Sequence, residues 1–206
     1  GYKPLGRGEG GPRGGPVAPP GNYQVCLKLD DKEYKHSFQI LKDPRLETTS
    51  EDFAAQFELW NKITRRISEI NGAINSIRRI MCQIEELLSR ATFGNSNGQK
   101  TVIEVRKNAE TLLGKLRILE NELTQTKNET PSDRLRHPAM LKERMEALVS
   151  TVSVADSVPP RQVYDVFEHL SKQIDDKLEL LNLVCEQDLS SLNLLIDNAG
   201  IRKLHG

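Results

Sequence analysis

The sequence predicts a mainly α-helical protein: an antiparallel bundle of three to four helices with long members, entered through a β-hairpin. Three observations carry this. Apolar residues at Trp60, Ile63, Ile67, Ile70, Ile74, Ile77, Met81, Ile84 and Leu88 alternate steps of three and four, which draws one stripe along a helix. The alternation returns from Val102 to Leu123, and steps of three and four, in a different order, continue a stripe from Val163 to Ile196. Ahead of them, two short segments alternate apolar and polar residues with the period of a strand.

In chain order, residues 1–21 are dominated by Gly and Pro, lack periodicity and read as a linker. Residues 22–42 read as the hairpin. Tyr23, Val25, Leu27 and Leu29 supply one strand's share of an apolar face, and Tyr34, His36, Phe38 and Ile40 supply the other's. A two-residue turn at Asp30-Asp31 pairs Leu27 with Tyr34, Val25 with His36 and Tyr23 with Phe38. It also sets Lys28 against Glu33 on the opposite face. A lone hairpin is marginal in water, so the apolar face is expected to be covered, either by helices or by the missing strands of a sandwich. On that face His36 reads as a packed side chain rather than a ligand.

Residues 48–198 read as the helical bundle and 199–206 as a tail. Pro44 ends the second strand. Thr48 with Glu51, and Thr49 with Asp52, both fit a reciprocal cap for the first helix, and the acids suit its positive end. That helix reaches about Arg90, roughly 60 Å at about 1.5 Å per residue. Asn71, Gly72 and Asn75 interrupt its propensity midway, as at a close helix crossing or a slight bend. Phe93 to Gly98 form a turn short enough to make the second helix, about Lys100 to Thr126, antiparallel to the first. Its stripe is Val102, Val105, Ala109, Leu112, Leu116, Leu119 and Leu123. A polar loop follows, with Asn128-Glu129-Thr130, a glycosylation triplet that is common by chance. The third helix starts near Pro138 and carries Leu141, Met145, Leu148 and Val152. The fourth opens at Pro160 and runs to Asn198 through Val163, Phe167, Leu170, Ile174, Leu178, Leu181, Cys185, Leu189, Leu192 and Ile196. Gly200 would cap it.

Composition narrows the partners. The 206 residues carry 29 basic and 29 acidic side chains, a balance that argues against holding nucleic acid or an anionic membrane. No apolar run approaches the roughly 18 residues of a membrane span. No signal peptide is visible, and the absence of an initiator Met fits a fragment of a longer chain. Cys26, Cys82 and Cys185 are too few and scattered for a disulfide framework or a zinc knuckle. They read as buried free thiols, with a Cys82–Cys185 bridge dependent on a separation that spacing does not give.

Chemistry is scarce. No Gly-x-Ser-x-Gly, no His-Glu-x-x-His and no Gly-rich loop before a Lys-Ser or Lys-Thr occurs. His36, His137, His169 and His205 are scattered over hairpin, loop, helix and tail. Asp165, Glu168 and His169 resemble a helical metal corner, but His169 stands beside the apolar stripe and reads as solvated or half-buried. Glu85-Glu86 and Asp175-Asp176 are sequence neighbours, point to different sides and read as a solvated face. No catalytic, cofactor-binding or metal-ligating residue is assigned, and no cofactor is expected.

The order of elements resembles a known family. Val17-Ala18-Pro19-Pro20-Gly21-Asn22-Tyr23-Gln24-Val25, then Lys42-Asp43-Pro44-Arg45 opening a helix with Phe53-x-x-x-Phe57, are similar to the C-terminal region of large sortilin-like BNR-repeat β-propeller proteins. Val163-Tyr164-Asp165-Val166-Phe167 and Asp188-Leu189-x-x-Leu192-Asn193 extend the likeness over most of the chain. Asp31 replaces the glycine usual at the turn. Such proteins are often labelled glycosyl hydrolases on the strength of their propeller, which lies outside these residues. The resemblance implies that the hairpin is the end of an immunoglobulin-like sandwich, with Tyr23 in the place of its corner tyrosine. It also implies a secreted or periplasmic setting, and upstream propeller and sandwich domains as partners. The expected role is a non-catalytic C-terminal structural or protein-interaction module. The alternatives are a supporting part of a glycoside hydrolase or carbohydrate-binding protein, and a self-associating coiled-coil adaptor.

Overall fold

A computed structural model describes residues 15–90, 99–127 and 136–198. Most of the 1–21 linker, the Phe93–Gly98 turn, the Asn128–Thr130 triplet, Gly200, His205 and the 199–206 tail lie outside the described residues. The described chain is mainly helical and begins with a two-stranded antiparallel sheet.

Strands β1 (Gly21–Leu29) and β2 (Lys32–Ile40) pair in the register that the alternation predicts: Leu27 with Tyr34, Val25 with His36, Tyr23 with Phe38, and Lys28 with Glu33. Asp30 takes the left-handed conformation at φ 51°, which two-residue hairpin turns demand and which Asp tolerates better than most residues. Tyr23 and Phe38 stack with ring centroids 5.9 Å apart.

Helix α1 (Ser50–Arg90) starts where Thr49 and Asp52 cap each other. The Thr49 N–H donates to Asp52 Oδ2 at 3.0 Å, and the Asp52 N–H donates to Thr49 Oγ1 at 3.2 Å. Of the two cap pairs the sequence allows, this one forms, and the Thr48 hydroxyl instead donates to the Asp156 carbonyl. Helix α2 spans Gln99–Leu123. Helix α3 spans Leu141–Ser153, so Pro138 precedes it rather than opening it. The Pro138 carbonyl accepts a bond from Gln125 Nε2. Helix α4 (Arg161–Leu183) follows Pro159-Pro160, passes through a π-helical turn at Val184–Leu189, and continues as α5 (Ser190–Asn198). Leu183 and Ser190 both keep right-handed helical dihedrals, so the rod is unbroken from Arg161 to Asn198.

The chain forms two compact units. The hairpin unit comprises residues up to Arg65 together with Glu146–Phe167, and so holds β1, β2, the start of α1, the end of α3 and the start of α4. Gln56, 7% exposed, ties it internally: its Nε2 donates to the carbonyls of Val152 at 2.6 Å and Ala155 at 2.7 Å.

The bundle unit comprises Arg66–Met145 and the chain from Glu168 onward. Cross-pairs fix its directions. Arg78 bonds Glu120 and Arg117 bonds Glu85, so α2 runs antiparallel to α1. Lys177 bonds Glu122 and Lys115 bonds Asp188, so α2 is also antiparallel to the α4–α5 rod. Glu143 joins the end of α2 to the start of α3: its carboxylate accepts bonds from Thr124 Oγ1 and from the backbone N–H groups of Gln125 and Met140.

The buried ridges correct the expected stripes in detail. On α1, Ile63, Ile70, Ile77 and Ile84 are fully buried, seven residues apart. Trp60 and Ile74 of the expected stripe are buried too, but Ile67, Met81 and Leu88 are only half-buried, and Leu59, Ala73, Ile80 and Leu87 form the buried flank on the other side. A seven-residue repeat with the second apolar position three residues after the first is coiled-coil geometry. On α2 the stripe from Val105 to Leu123 is buried as expected, with Leu113 added and Val102 half-buried. All four stripe residues of α3 are buried. Gly72 marks no close crossing: it is exposed, and a Cβ there would meet nothing within 4 Å.

The π turn explains the largest departure on the last rod. The buried positions run Val163, Leu170, Ile174, Leu181, Val184 and then, after a step of five, Leu189, Leu192 and Ile196. An uninterrupted α-helix would follow Val184 with Asp188, Ser191 and Leu195 on the core face. The wider i→i+5 turn absorbs one residue and returns Leu189 and Ile196 to the core. Cys185 therefore falls beside the ridge, half-buried, and not in it. Asp188 stands at the border, with its carboxylate oxygens 2.7 and 2.8 Å from Lys115 Nζ.

Candidate functional site

The residues weighed for chemistry do not converge. His36 is exposed, contrary to the packed reading, because nothing among the described residues covers its face of the hairpin. Asp165, Glu168 and His169 are exposed on α4, and His137 is half-buried before α3. Glu85 pairs with Arg117, and Asp175 bonds Arg66. Among the described residues no three His, Cys, Asp or Glu side chains stand together as a metal site.

All three cysteines are free, and the buried reading fails for two of them, since Cys26 and Cys82 are exposed. Cys26 lies on the polar face of the hairpin and its thiol donates to Glu33 Oε1 at 2.8 Å. That bond pushes the Cys26 thiol up and holds Glu33 below the usual glutamate range, with Lys35 adding to the latter. Burial, then the neighbouring Glu186 charge, pushes the Cys185 thiol up. Neither thiol is in the low-pKa setting of a nucleophile.

What the hairpin unit does assemble is a pair of apolar surfaces. The first is the face of the hairpin itself: Val25, Leu27, Tyr34 and Phe38 are 53%, 61%, 53% and 45% exposed. At its base Tyr23 Oη donates to the Pro19 carbonyl at 2.6 Å, four residues back along the chain. A tyrosine hydroxyl bonded to the backbone a few residues upstream is also found at the tyrosine corner of immunoglobulin-like sandwiches.

The second is a cavity of about 230 Å³ where the hairpin enters the helices. One wall is Val17, Pro19 and Pro20; the other is Phe53, Phe57 and Trp60 of α1. The helix presents these aromatics on one face because they sit three and four residues apart. Ala18, Ile40, Leu41, Leu46, Gln56 and Ser153, with the charged Lys42, Asp43 and Asp156, complete the lining. The loop that frames it is held by the Asp43–Arg45 pair, by Lys42 donating to the Thr48 carbonyl, and by the Thr48–Asp156 bond. Asp43 lies below the usual aspartate range because the Arg45 side chain and backbone N–H both donate to it. Trp60 is 6% exposed, and its indole N–H has no partner among the described residues. Sequence reading placed Trp60 in the stripe and missed this role; a polar-tipped aromatic heading a stripe was the available signal.

One position of the α1 flank is charged. Arg66 continues the flank between Leu59 and Ala73, and its guanidinium bonds Glu69, the Ser171 carbonyl and Asp175. Its Nε–H and the Ser171 hydroxyl are buried without a partner among the described residues. The cluster crosslinks α1 and α4 within the bundle unit.

No family model, curated protein or solved structure matches this chain.

Proposed function

We propose that the chain is a non-catalytic structural or protein-interaction module, the C-terminal region of a larger sortilin-like BNR-repeat β-propeller protein. The Tyr23–Pro19 bond carries this reading. A tyrosine corner belongs to a sandwich, and a sandwich needs a second sheet over the face that Val25, Leu27, Tyr34 and Phe38 leave bare. Two strands are too few to be stable alone, and four large apolar side chains in water are costly. The module would therefore lend two strands to a sandwich completed by preceding sequence and follow it with a helical bundle.

Hydrogen exchange tests this. Amides of β1 and β2 should exchange fast in this chain and become protected when the preceding part of the parent polypeptide is present, with α1 and α2 unchanged. Equal exchange of the hairpin amides in the two settings would sink the reading.

A further inference from the structure

We propose that His36 makes the covering of the hairpin face pH-dependent: a second sheet closes over it at neutral pH and is released in mild acid. The inference rests on the reading that preceding sequence completes a sandwich over this face, and adds a control on when that sandwich holds together.

The register places His36 in the middle of the face. It stands directly opposite Val25, with the Leu27–Tyr34 pair on its turn side and the Tyr23–Phe38 pair on the other. Directly paired residues share a side of the sheet, and alternate residues return to it, so all of these project together. His36 is exposed in this chain, and water solvates its imidazole in either protonation state. A sheet laid over Val25, Leu27, Tyr34 and Phe38 also lies over His36 and strips that water away.

The surrounding groups decide which form of the imidazole tolerates burial. On this side β1 carries Tyr23, Val25, Leu27 and Leu29, and β2 carries Lys32, Tyr34, Phe38 and Ile40. The ionisable members are two phenols and the Lys32 ammonium at the turn end, whose charge has the same sign as imidazolium. The acids of the hairpin lie elsewhere. Glu33 is on the opposite side, paired with Lys28 and Lys35, and Asp30 and Asp31 form the turn. Nothing among the described residues covers this side at His36, so no carboxylate among them faces it. A protonated imidazole under the cover is a buried cation without a counter-ion. The neutral ring packs among aromatic and aliphatic neighbours at far smaller cost.

Proton uptake is thereby confined to the uncovered face. Imidazole ordinarily takes its proton near pH 6.5, so the cover holds fully above that value and loosens as pH falls below it. If the uncovered form alone binds the proton, the ratio of uncovered to covered hairpin rises about tenfold from about pH 7.5 to about pH 5.5.

Hydrogen exchange of the parent polypeptide, with its preceding part present, is measured at about pH 7.5 and about pH 5.5, one unit either side of the ordinary imidazole value. Rates are divided by the intrinsic exchange rate at each pH. Protection of β1 and β2 should fall about tenfold in acid, with α1 constant. His36→Leu should hold its protection within about twofold between the two conditions. His36→Gln, polar but unable to titrate, should do the same from a lower starting level, which keeps the comparison readable if leucine grips the cover too tightly. Equal protection of the unaltered hairpin at both pH values would overturn the inference and leave the sandwich reading intact. Greater protection in acid would also overturn it, because the covering sheet would then bring a carboxylate to His36. So would a His36→Leu hairpin that loosens in acid as steeply as the parent. A hairpin unprotected at neutral pH would overturn both the inference and the reading beneath it.

Discussion

The hairpin and the helices carry the same kind of signal and meet opposite fates. Each has a regular apolar face written into its sequence. On α1 that face ends with Ile63, Ile70, Ile77 and Ile84 at 0% exposure, whereas on the hairpin Leu27 is left at 61% and Tyr34 at 53%. Periodicity dictates where a face lies, but whether it is covered depends on what else the chain supplies. The helices supply each other with ridges; the hairpin has a single sheet of two strands and no second layer among the described residues.

The largest test of this contrast is a matched pair of truncations. Ile77→Ala removes a fully buried side chain and should cost about 2–5 kcal/mol of unfolding free energy. Leu27→Ala removes an equally large side chain from a bare face and should change stability by no more than about 0.5 kcal/mol. Urea denaturation followed by circular dichroism measures both. A large loss at Leu27 would show that the hairpin face is covered in solution, by a second copy or by the chain itself, and would break the contrast.

A smaller effect tests the joint within the bundle unit. Glu143 serves a hydroxyl and two backbone N–H groups at the α2–α3 connection, so Glu143→Ala strands three donors. The expected loss is about 1–3 kcal/mol, with Glu143→Gln intermediate because the amide keeps one acceptor oxygen. Thermal unfolding of the two variants side by side gives the ranking, and a harmless Glu143→Ala would mean that water satisfies the connection.

Gly72→Ala should go the other way. The site is an exposed helix interior with open space around a new Cβ, so alanine gains about 0.5–1 kcal/mol from helix propensity and a less flexible unfolded chain. A destabilised Gly72→Ala would place an unseen neighbour on that face of α1.

How far the sequence was legible follows from these residues. Element types, the hairpin register and the two candidate cap pairs, Thr48–Glu51 and Thr49–Asp52, were readable because each depends on spacing within a short segment. The flank of the α1 ridge was not. Steps of three and four fit both Ile67, Met81, Leu88 and Ala73, Ile80, Leu87, and the partner helices decide between them. The choice was further hidden because the true flank contains Arg66, whose charge is matched by Asp175 far along the chain. The π turn was equally hidden. A stripe drawn through Leu181, Cys185 and Leu189 looks continuous, and only the burial of Val184 in place of Cys185 shows that one residue has been absorbed. The cavity beside Trp60 draws on three separate stretches, and no local pattern encodes it.

The smallest expected effect concerns acid. Asp52 is held below its ordinary value of 3.8 by the Thr49 backbone N–H and then by the Thr49 hydroxyl. A carboxyl with a folded pKa below its unfolded one binds its proton less readily in the native state. The stability it contributes is therefore complete above the unfolded value and is lost as pH falls through and below 3.8. Asp52→Asn keeps an acceptor oxygen for the Thr49 N–H but cannot titrate. The parent should be the more stable of the two near neutral pH, where the charge also meets the positive end of α1, and the gap should close as the carboxyl protonates. Melting temperatures of both chains across the acid range, at constant ionic strength, decide it. Because Asp52 is exposed and open to screening by salt, added sodium chloride should shrink the neutral-pH difference. A gap that stayed constant across the acid range would mean that the cap is held by its hydrogen bonds alone and that charge plays no part in where the long helix begins.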